Sequence, residues 1–211
     1  MHPNPAFRTT QADRTLAFVR DRSFGTLAVN GVEGPMLAHV PFLMSDCGTF
    51  AELHLVRSNP ITRALAAPLA AVIAVTGPDS YISPDWYSLD HQVPTWNYVS
   101  AHLRGTLTLL PQTALRDFLD RQSASFEARL LPKTPWLTDK MPADAMDQMM
   151  RQIVPVRLDI TRIDSTWKLS QNKPDSARLG AAEGVRQAGF GSETDSIAAL
   201  MTELPPTDTK G

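Results

Sequence analysis

The clearest alternation of apolar and polar positions runs from Val93 to Leu109. Asn97, Val99, Ala101, Leu103, Gly105, Leu107 and Leu109 form one set, and Trp96, Tyr98, Ser100, His102, Arg104 and Thr106 form the other. A strand turns successive side chains to opposite faces, so the first, largely apolar set is predicted to face a core and the second to carry rings and polar tips elsewhere. Asn97 is the polar member of the inward set and needs a hydrogen-bond partner there. Gly105 marks a bulge or bend. Strand-like runs also cover Gly25 to Val29, Pro35 to Leu43 and Thr49 to Leu55, with Asn30 to Gly34 as a hairpin loop between the first two. Ala70 to Thr76 is unbroken in its apolarity, which predicts a strand buried on both faces. Val156, Leu158 and Ile160 alternate with Arg157, Asp159 and Thr161 and predict one more.

Helical spacing appears in between. Gln11 to Arg20 puts Leu16 and Val19 on one face, with Thr10 as a cap, and Pro60 to Leu65 follows Asn59 as a short helix. After Pro111, Leu115, Phe118, Leu119, Gln122 and Phe126 recur at near-helical intervals to about Leu130. About Asp144 to Gln152, Met146, Met149, Met150 and Ile153 share a face. Asp175 to Ala188 and Asp195 to Glu203 read as C-terminal helices, so that helical structure fills about 175–203, and Pro205 to Gly211 is expected to fray. Many short strands, an early hairpin and few crossover helices predict a mainly β (α+β) fold, an antiparallel barrel with peripheral helices. A length of 211 residues suits one domain, 1–211.

Composition changes the picture only by exclusion. Twenty Lys and Arg against 22 Asp and Glu leave a net charge of −2, which supplies no general attraction to nucleic acid or anionic membrane. Cys47 is the single cysteine, so no intrachain disulfide forms, and the first eight residues lack a signal-peptide core; a cytoplasmic, non-membrane protein is expected. There is no G-x-G-x-x-G and no P-loop. His39, His54, His91 and His102 fit no zinc spacing, and Ser83 is not in a G-x-S-x-G elbow. Cys47 lacks a linked His or a helix N-terminus and reads as a spectator thiol.

The candidate chemistry lies in three aromatic and polar segments: Gly77 to Tyr87, Val93 to Tyr98, and Trp167-Lys168-Leu169-Ser170-Gln171-Asn172-Lys173. Three of the four Trp and all three Tyr fall in them, although only 7% of the chain is aromatic. Flat rings beside amides, hydroxyls and cations suit a planar, phosphorylated, hydrogen-bonding ligand such as flavin mononucleotide, while rings of this kind also fill β cores. Arg57 and Asn59, where a strand passes into a short helix, and His54 beside them form a candidate phosphate site; a solvated Arg and a capping Asn are the plainer reading. Lys168, Ser170, Gln171 and Asn172 offer donors for the polar edge of a flavin ring, or make up a polar loop after a strand. Tyr81 and Ser83 lie on a Pro-bounded, ring-rich loop, and loops of that kind lie at the surface. Trp96 either walls a flavin or packs against a second subunit.

With Phe24-Gly25-Thr26-Leu27, His39-Val40-Pro41-Phe42-Leu43 and His54 to Pro60, these segments resemble the PaiB-like FMN-binding negative transcriptional regulators, within the flavin-binding split-barrel group that includes pyridoxamine-phosphate oxidases. The signatures Tyr81-Ile82-Ser83-Pro84-x-Trp86-Tyr87 and Trp167 to Asn172 carry the resemblance, which covers roughly Phe7 to Arg178; the loop from Tyr87 to Val93 is shorter than in many relatives. The resemblance implies a six-stranded antiparallel split barrel, a homodimer, FMN between subunits and a repressor role. No helix-turn-helix pattern or basic face accompanies that role, so direct DNA binding is not expected. An FMN-dependent oxidoreductase and a cofactor-free interaction module are the alternatives, and heme enters only by analogy within the wider group.

Overall fold

The computed structural model of the protein describes residues 2–205. The expected fraying of 205–211 therefore falls, from residue 206 onward, outside the described residues. Six long strands and one short one form the sheet: β1 (Phe24–Gly31), β2 (Gly34–Met44), β3 (Phe50–Val56), β4 (Leu69–Ile82), β5 (Thr95–Leu109), β6 (Ile153–Lys168) and β7 (Gly191–Ser192). Their order is β1-β2-β3-β6-β5-β4-β7, and a further pairing of β1 with β4 closes the six long strands into a ring. Among the described residues the α-helices are six: α1 (Ala12–Arg22), α2 (Pro60–Ala64), α3 (Leu115–Glu127), α4 (Ala143–Met150), α5 (Asp175–Ala188) and α6 (Thr194–Thr202). The fold is mainly β, an antiparallel barrel with peripheral helices, as the periodicity predicts.

The chain divides into two compact units, to which β4, β5 and β6 each contribute residues. One holds Leu16–Val75 and His102–Ile163. Here β1 and β2 form the expected hairpin, in register from Phe24 opposite Pro41 to Gly31 opposite Gly34, so the loop shortens to Val32-Glu33. On its other side β1 pairs with β4 from Thr26 opposite Ala74 to Val29 opposite Ala71. Strand β3 lies between β2 and β6. Leu27, Phe42, Leu53, Ile73, Leu103, Leu107, Leu115, Phe118 and Leu158 are fully buried and make this unit's core.

The other unit holds the residues up to Thr15, Thr76–Ala101 and the chain from Asp164 onward. Ala177, Ala181, Ala182 and Val185 of α5 are buried, as are Ile197, Ala198 and Met201 of α6. These small side chains let α5 approach the turn Pro84–Tyr87: a Cβ at Gly180 or Gly184 would overlap Trp86. The helix ends at Gly189, whose left-handed φ of 58° suits a residue without a side chain. Buried Arg178 bonds the Asp175 carboxylate at 2.8 Å and donates to the Met201 carbonyl, so its charge is paired.

Several local expectations change. Strand β4 alternates in burial along Leu69–Ile82 and is not buried on both faces; it also extends through Tyr81, which was expected on a loop. A run of small apolar residues cannot by itself tell a doubly covered strand from one with Ala on its outer face. Met149 and Leu109 are exposed, each at the end of its element where the covering layer stops. Gly105 marks a close approach of two backbones: a Cβ there would meet the Asp159 carbonyl. Gly105→Ala is therefore expected to destabilise the protein by about 3 kcal/mol or more in urea unfolding, whereas Thr106→Ala, exposed on the same strand, should stay within about 0.5 kcal/mol.

Candidate functional site

The end of β6 and the turn after it build the site. Trp167 is buried and lies under the Arg14 guanidinium at 4.8 Å, which anchors the strand end. Beyond Lys168 the chain turns, and Ser170 takes a left-handed φ of 62° that carries its hydroxyl inward. Only 2% of Ser170 is exposed. Its Oγ lies 2.8 Å from the Tyr87 hydroxyl and accepts a hydrogen bond of 2.9 Å from Asn97 Nδ2. Asn97 Nδ2 also reaches Met201 Sδ at 3.4 Å. Asn97 has no exposure, so the partner that its inward position demanded is Ser170. Its Oδ1 has no partner among the described residues. Burial pushes the Tyr87 phenol above its ordinary pKa, and the hydrogen bond with Ser170 opposes that shift.

These groups line a cleft of about 310 Å³ together with Lys168, Asn172, Lys173, Thr95, Phe7 and the loop residues His91 to Val93. Lys168 Nζ donates to Thr95 Oγ1 and to the Trp96 carbonyl. Burial holds the Lys168 ammonium below its usual pKa, and the charge of Lys173 adds to the effect. Lys173 Nζ donates to Gln92 Oε1 and stands 5.3 Å from the Tyr87 ring centroid. No carboxylate lines the cleft, and neither lysine has an ion-pair partner among the described residues. Cations, a hydroxyl, amides and an acceptor without a donor are a donor set for an anionic, heteroaromatic ligand.

The sequence candidates separate on this geometry. Lys168, Ser170 and Asn172 come together on the cleft. Gln171 lines a different depression with Arg14 and Trp167 and acts as a backbone clamp: its Oε1 accepts from Leu169 N at 2.7 Å, and its Nε2 donates to the Trp167 and Ala6 carbonyls. Tyr81 and Trp96 belong to a surface cluster with Trp86 and Phe190, with ring centroids 5.6 to 6.4 Å apart. Trp96 is 43% and Phe190 59% exposed. Ser83 precedes the turn Pro84–Tyr87, and its side chain makes no capping bond.

The remaining candidates belong to the unit of residues 16–75 and 102–163. Asn59 caps α2, accepting from Ile61 N at 2.9 Å. Arg57 donates through Nε to the Arg151 carbonyl at 2.9 Å and through Nη2 to Gln112 Oε1 at 3.0 Å and the Ile153 carbonyl at 3.4 Å. The His54 ring tilts against Phe118 at 6.2 Å; burial lowers its pKa, and its Nδ1 is buried without a partner.

Sequence reasoning missed the cleft's other lining. Lys173 lay inside a segment already singled out, and its charge was the available signal. His91 and Gln92 come from the short loop before β5, where His91 takes a φ of 57°. His2, Asn4 and Phe7 carried no signal, because their place depends on the N-terminal segment folding back so that His2 N bonds Thr166 Oγ1 at 3.3 Å. Cys47 sits exposed on the β2–β3 turn, its thiol lowered to about 7 chiefly by the hydrogen bond with Thr49. No helix among the described residues is long and apolar enough to cross a membrane.

Residues 1–162 match the family model described as "Putative FMN-binding domain". The chain belongs to this family. FMN is accordingly its cofactor. The matched span stops before Lys168, so Lys168, Ser170, Asn172 and Lys173 of the cleft lie beyond it. Protease synthase and sporulation protein PAI 2 of Bacillus subtilis is 28% identical over 200 residues, covering 94% of this chain and 93% of the relative. The fold is shared with an FAD and heme binding protein from Mycobacterium smegmatis (TM-score 0.56, 19% identity, 88% of this chain and 82% of that one). It is shared as well with the flavocytochrome Anf3 from Azotobacter vinelandii (TM-score 0.52, 12% identity, 79% and 72%). The architecture is thus the split barrel of flavin-binding proteins, and the chain is an FMN-binding member of it.

Ser170 is the joint of the buried network. Ser170→Ala leaves the Tyr87 hydroxyl unpaired and Asn97 Nδ2 with only the Met201 sulfur. It is expected to lower stability by about 2 kcal/mol in urea unfolding, and Tyr87→Phe, which removes one bond, by about 1 kcal/mol.

Proposed function

We propose that the protein holds FMN against the Lys168–Asn172 turn and acts, as a homodimer, in a regulatory role of the PaiB kind. We read residues 1–211 as one FMN-binding domain. The observation that carries the reading is the family match, joined to a cleft whose donors suit a flavin nucleotide. The fit is chemical: the buried Asn97 Oδ1 lacks a donor, which a ring N–H supplies, and two ammonium groups without counter-charges await an anion. When bound, FMN supplies hydride or electron transfer. The protein's own groups bind and orient. Lys168 and Asn172 present donors, Ser170 fixes the Asn97 amide, and Gln171 fixes the backbone that carries them. Tyr81, Ser83 and Trp96, which belong to the same unit as the cleft, complete the proposed set, the ring residues as walls or as a subunit contact.

The exposed ring cluster supports the homodimer, since contiguous apolar patches mark interfaces. A cytoplasmic setting fits the single cysteine. The cleft's opening to solvent favours FMN-dependent oxidoreduction as the second reading. Purified protein titrated with FMN is expected to give the absorbance spectrum of a bound flavin with one FMN per chain; a flat titration rejects the FMN reading. Consumption of reduced nicotinamide by the loaded protein would move the second reading to first place. Light scattering at micromolar concentration is expected to give a dimer, with an interface of more than about 2,000 Å², and a monomer removes the proposed subunit contact.

The net charge of −2 supplies no field for phosphate backbones. Fluorescence anisotropy against random duplex and the protein's own upstream region, over a salt series, is expected to show no tight, salt-sensitive binding. Nanomolar, sequence-selective binding at physiological salt would make direct repression the mechanism.

A further inference from the structure

We propose that the Lys168–Lys173 cleft is the seat of a phosphate monoester dianion. The ligand chemistry follows from what the cleft holds and lacks. Two ammonium groups share it, and the hydrogen bonds they make go to neutral acceptors: Thr95 Oγ1 and the Trp96 carbonyl for Lys168, Gln92 Oε1 for Lys173. Each ammonium has three protons, so each keeps at least one for a ligand. No carboxylate among the described residues lines the cleft. The acidic groups nearby in the chain lie outside the lining: Asp175 pairs with Arg178 at 2.8 Å, and Asp85 and Asp90 line an adjoining depression. His2 and His91 add two imidazoles to the lining.

Two like charges held together without a counter-ion raise the energy of the folded protein, and a dianion between them removes that cost while making charge-assisted hydrogen bonds. A phosphate monoester carries about −1.5 to −2 charges at neutral pH and three terminal oxygens, enough to serve both lysines at once. A single carboxylate carries half that charge. The Phe7 and Tyr87 rings stand 5.9 Å and 5.3 Å from Lys168 Nζ and Lys173 Nζ and give the seat apolar walls. Arg57, the phosphate candidate of the sequence, spends its Nε and Nη2 on two carbonyls and an amide oxygen. This inference deepens the FMN reading and rests on it only for one of two possible sources of the phosphate: the tail of FMN itself, or a separate phosphate ester bound beside the flavin.

The test titrates wild type, Lys168→Met, Lys173→Met, Lys173→Arg and Arg57→Met with FMN, with riboflavin, and with inorganic phosphate alone, by calorimetry and flavin fluorescence. Thermal unfolding of each variant confirms that it is folded. If the phosphate is FMN's own, wild type prefers FMN to riboflavin by about tenfold or more. Either methionine variant then loses that preference, Lys173→Met without a change in riboflavin binding, and Lys173→Arg and Arg57→Met keep it. If the ester is separate, FMN and riboflavin bind wild type alike, and inorganic phosphate binds the riboflavin-loaded protein and fails to bind either methionine variant. If no flavin binds but phosphate does, with the same loss in the methionine variants, the FMN reading falls and the seat stands. The proposal is overturned if the methionine variants keep both the FMN preference and phosphate binding, if wild type binds neither phosphate nor the FMN tail, or if Arg57→Met alone abolishes the preference.

Discussion

Strand β1 is hydrogen-bonded on both sides, to β2 along its length and to β4 over Thr26 to Val29. That second pairing closes the ring of long strands, and the rest of the structure depends on it. An open sheet would leave a row of unpaired backbone groups along β1 and another along β4. Closure satisfies both rows and fixes which face of every strand looks inward. The demand for close backbone approach at Gly25, against the Ala74 carbonyl, and at Gly105, against the Asp159 carbonyl, arises from the same packing of strand on strand. Side chains at these two positions would push paired strands apart, so their lack of a Cβ is part of the barrel's construction.

The candidate site takes its character from what happens where a strand runs out. At the end of β6 the backbone turns through a left-handed serine, and a hydroxyl that would otherwise sit on a solvated turn becomes the centre of a buried network. A network in a water-poor environment specifies orientation strongly, because each polar group left unpaired there is costly. Ser170 and Met201 therefore hold the Asn97 amide with its nitrogen occupied and its oxygen buried without a donor. Beside it, Lys168 and Lys173 keep their charges without carboxylate partners. The unpaired Asn97 oxygen departs from the rule that buried polar groups are satisfied, and such departures concentrate at binding sites.

Much of the fold was legible in the chain. The period-two run that became β5 put Asn97, Val99, Ala101, Leu103 and Leu107 inward, and all five are buried. The hairpin, the Asn59 cap with α2, and α5 followed from local turn and capping chemistry. Exposed Met149 and Leu109 show the limit of periodicity: it says which residues share a face, and the neighbouring elements decide how far along that face the cover extends.

The site was legible in part. Lys168, Ser170 and Asn172 are close in sequence, so a single turn keeps them near one another, and composition alone could single them out. Gln171 stands between them yet turns to clamp the backbone, because neighbouring side chains on a turn point in different directions. Tyr81 and Trp96 went to a surface ring cluster with Phe190, a residue more than ninety positions distant in the chain. The sequence by itself determined the inward face of most of β5, the Asn59 cap and the family, since each rests on residues close in the chain or on a motif of fixed spacing. Only the tertiary structure decided that Asn97, Tyr87 and Ser170 share one hydrogen-bond network and that Lys168 and Lys173 share one cleft. Those depend on which distant segments pack together, which no local pattern encodes.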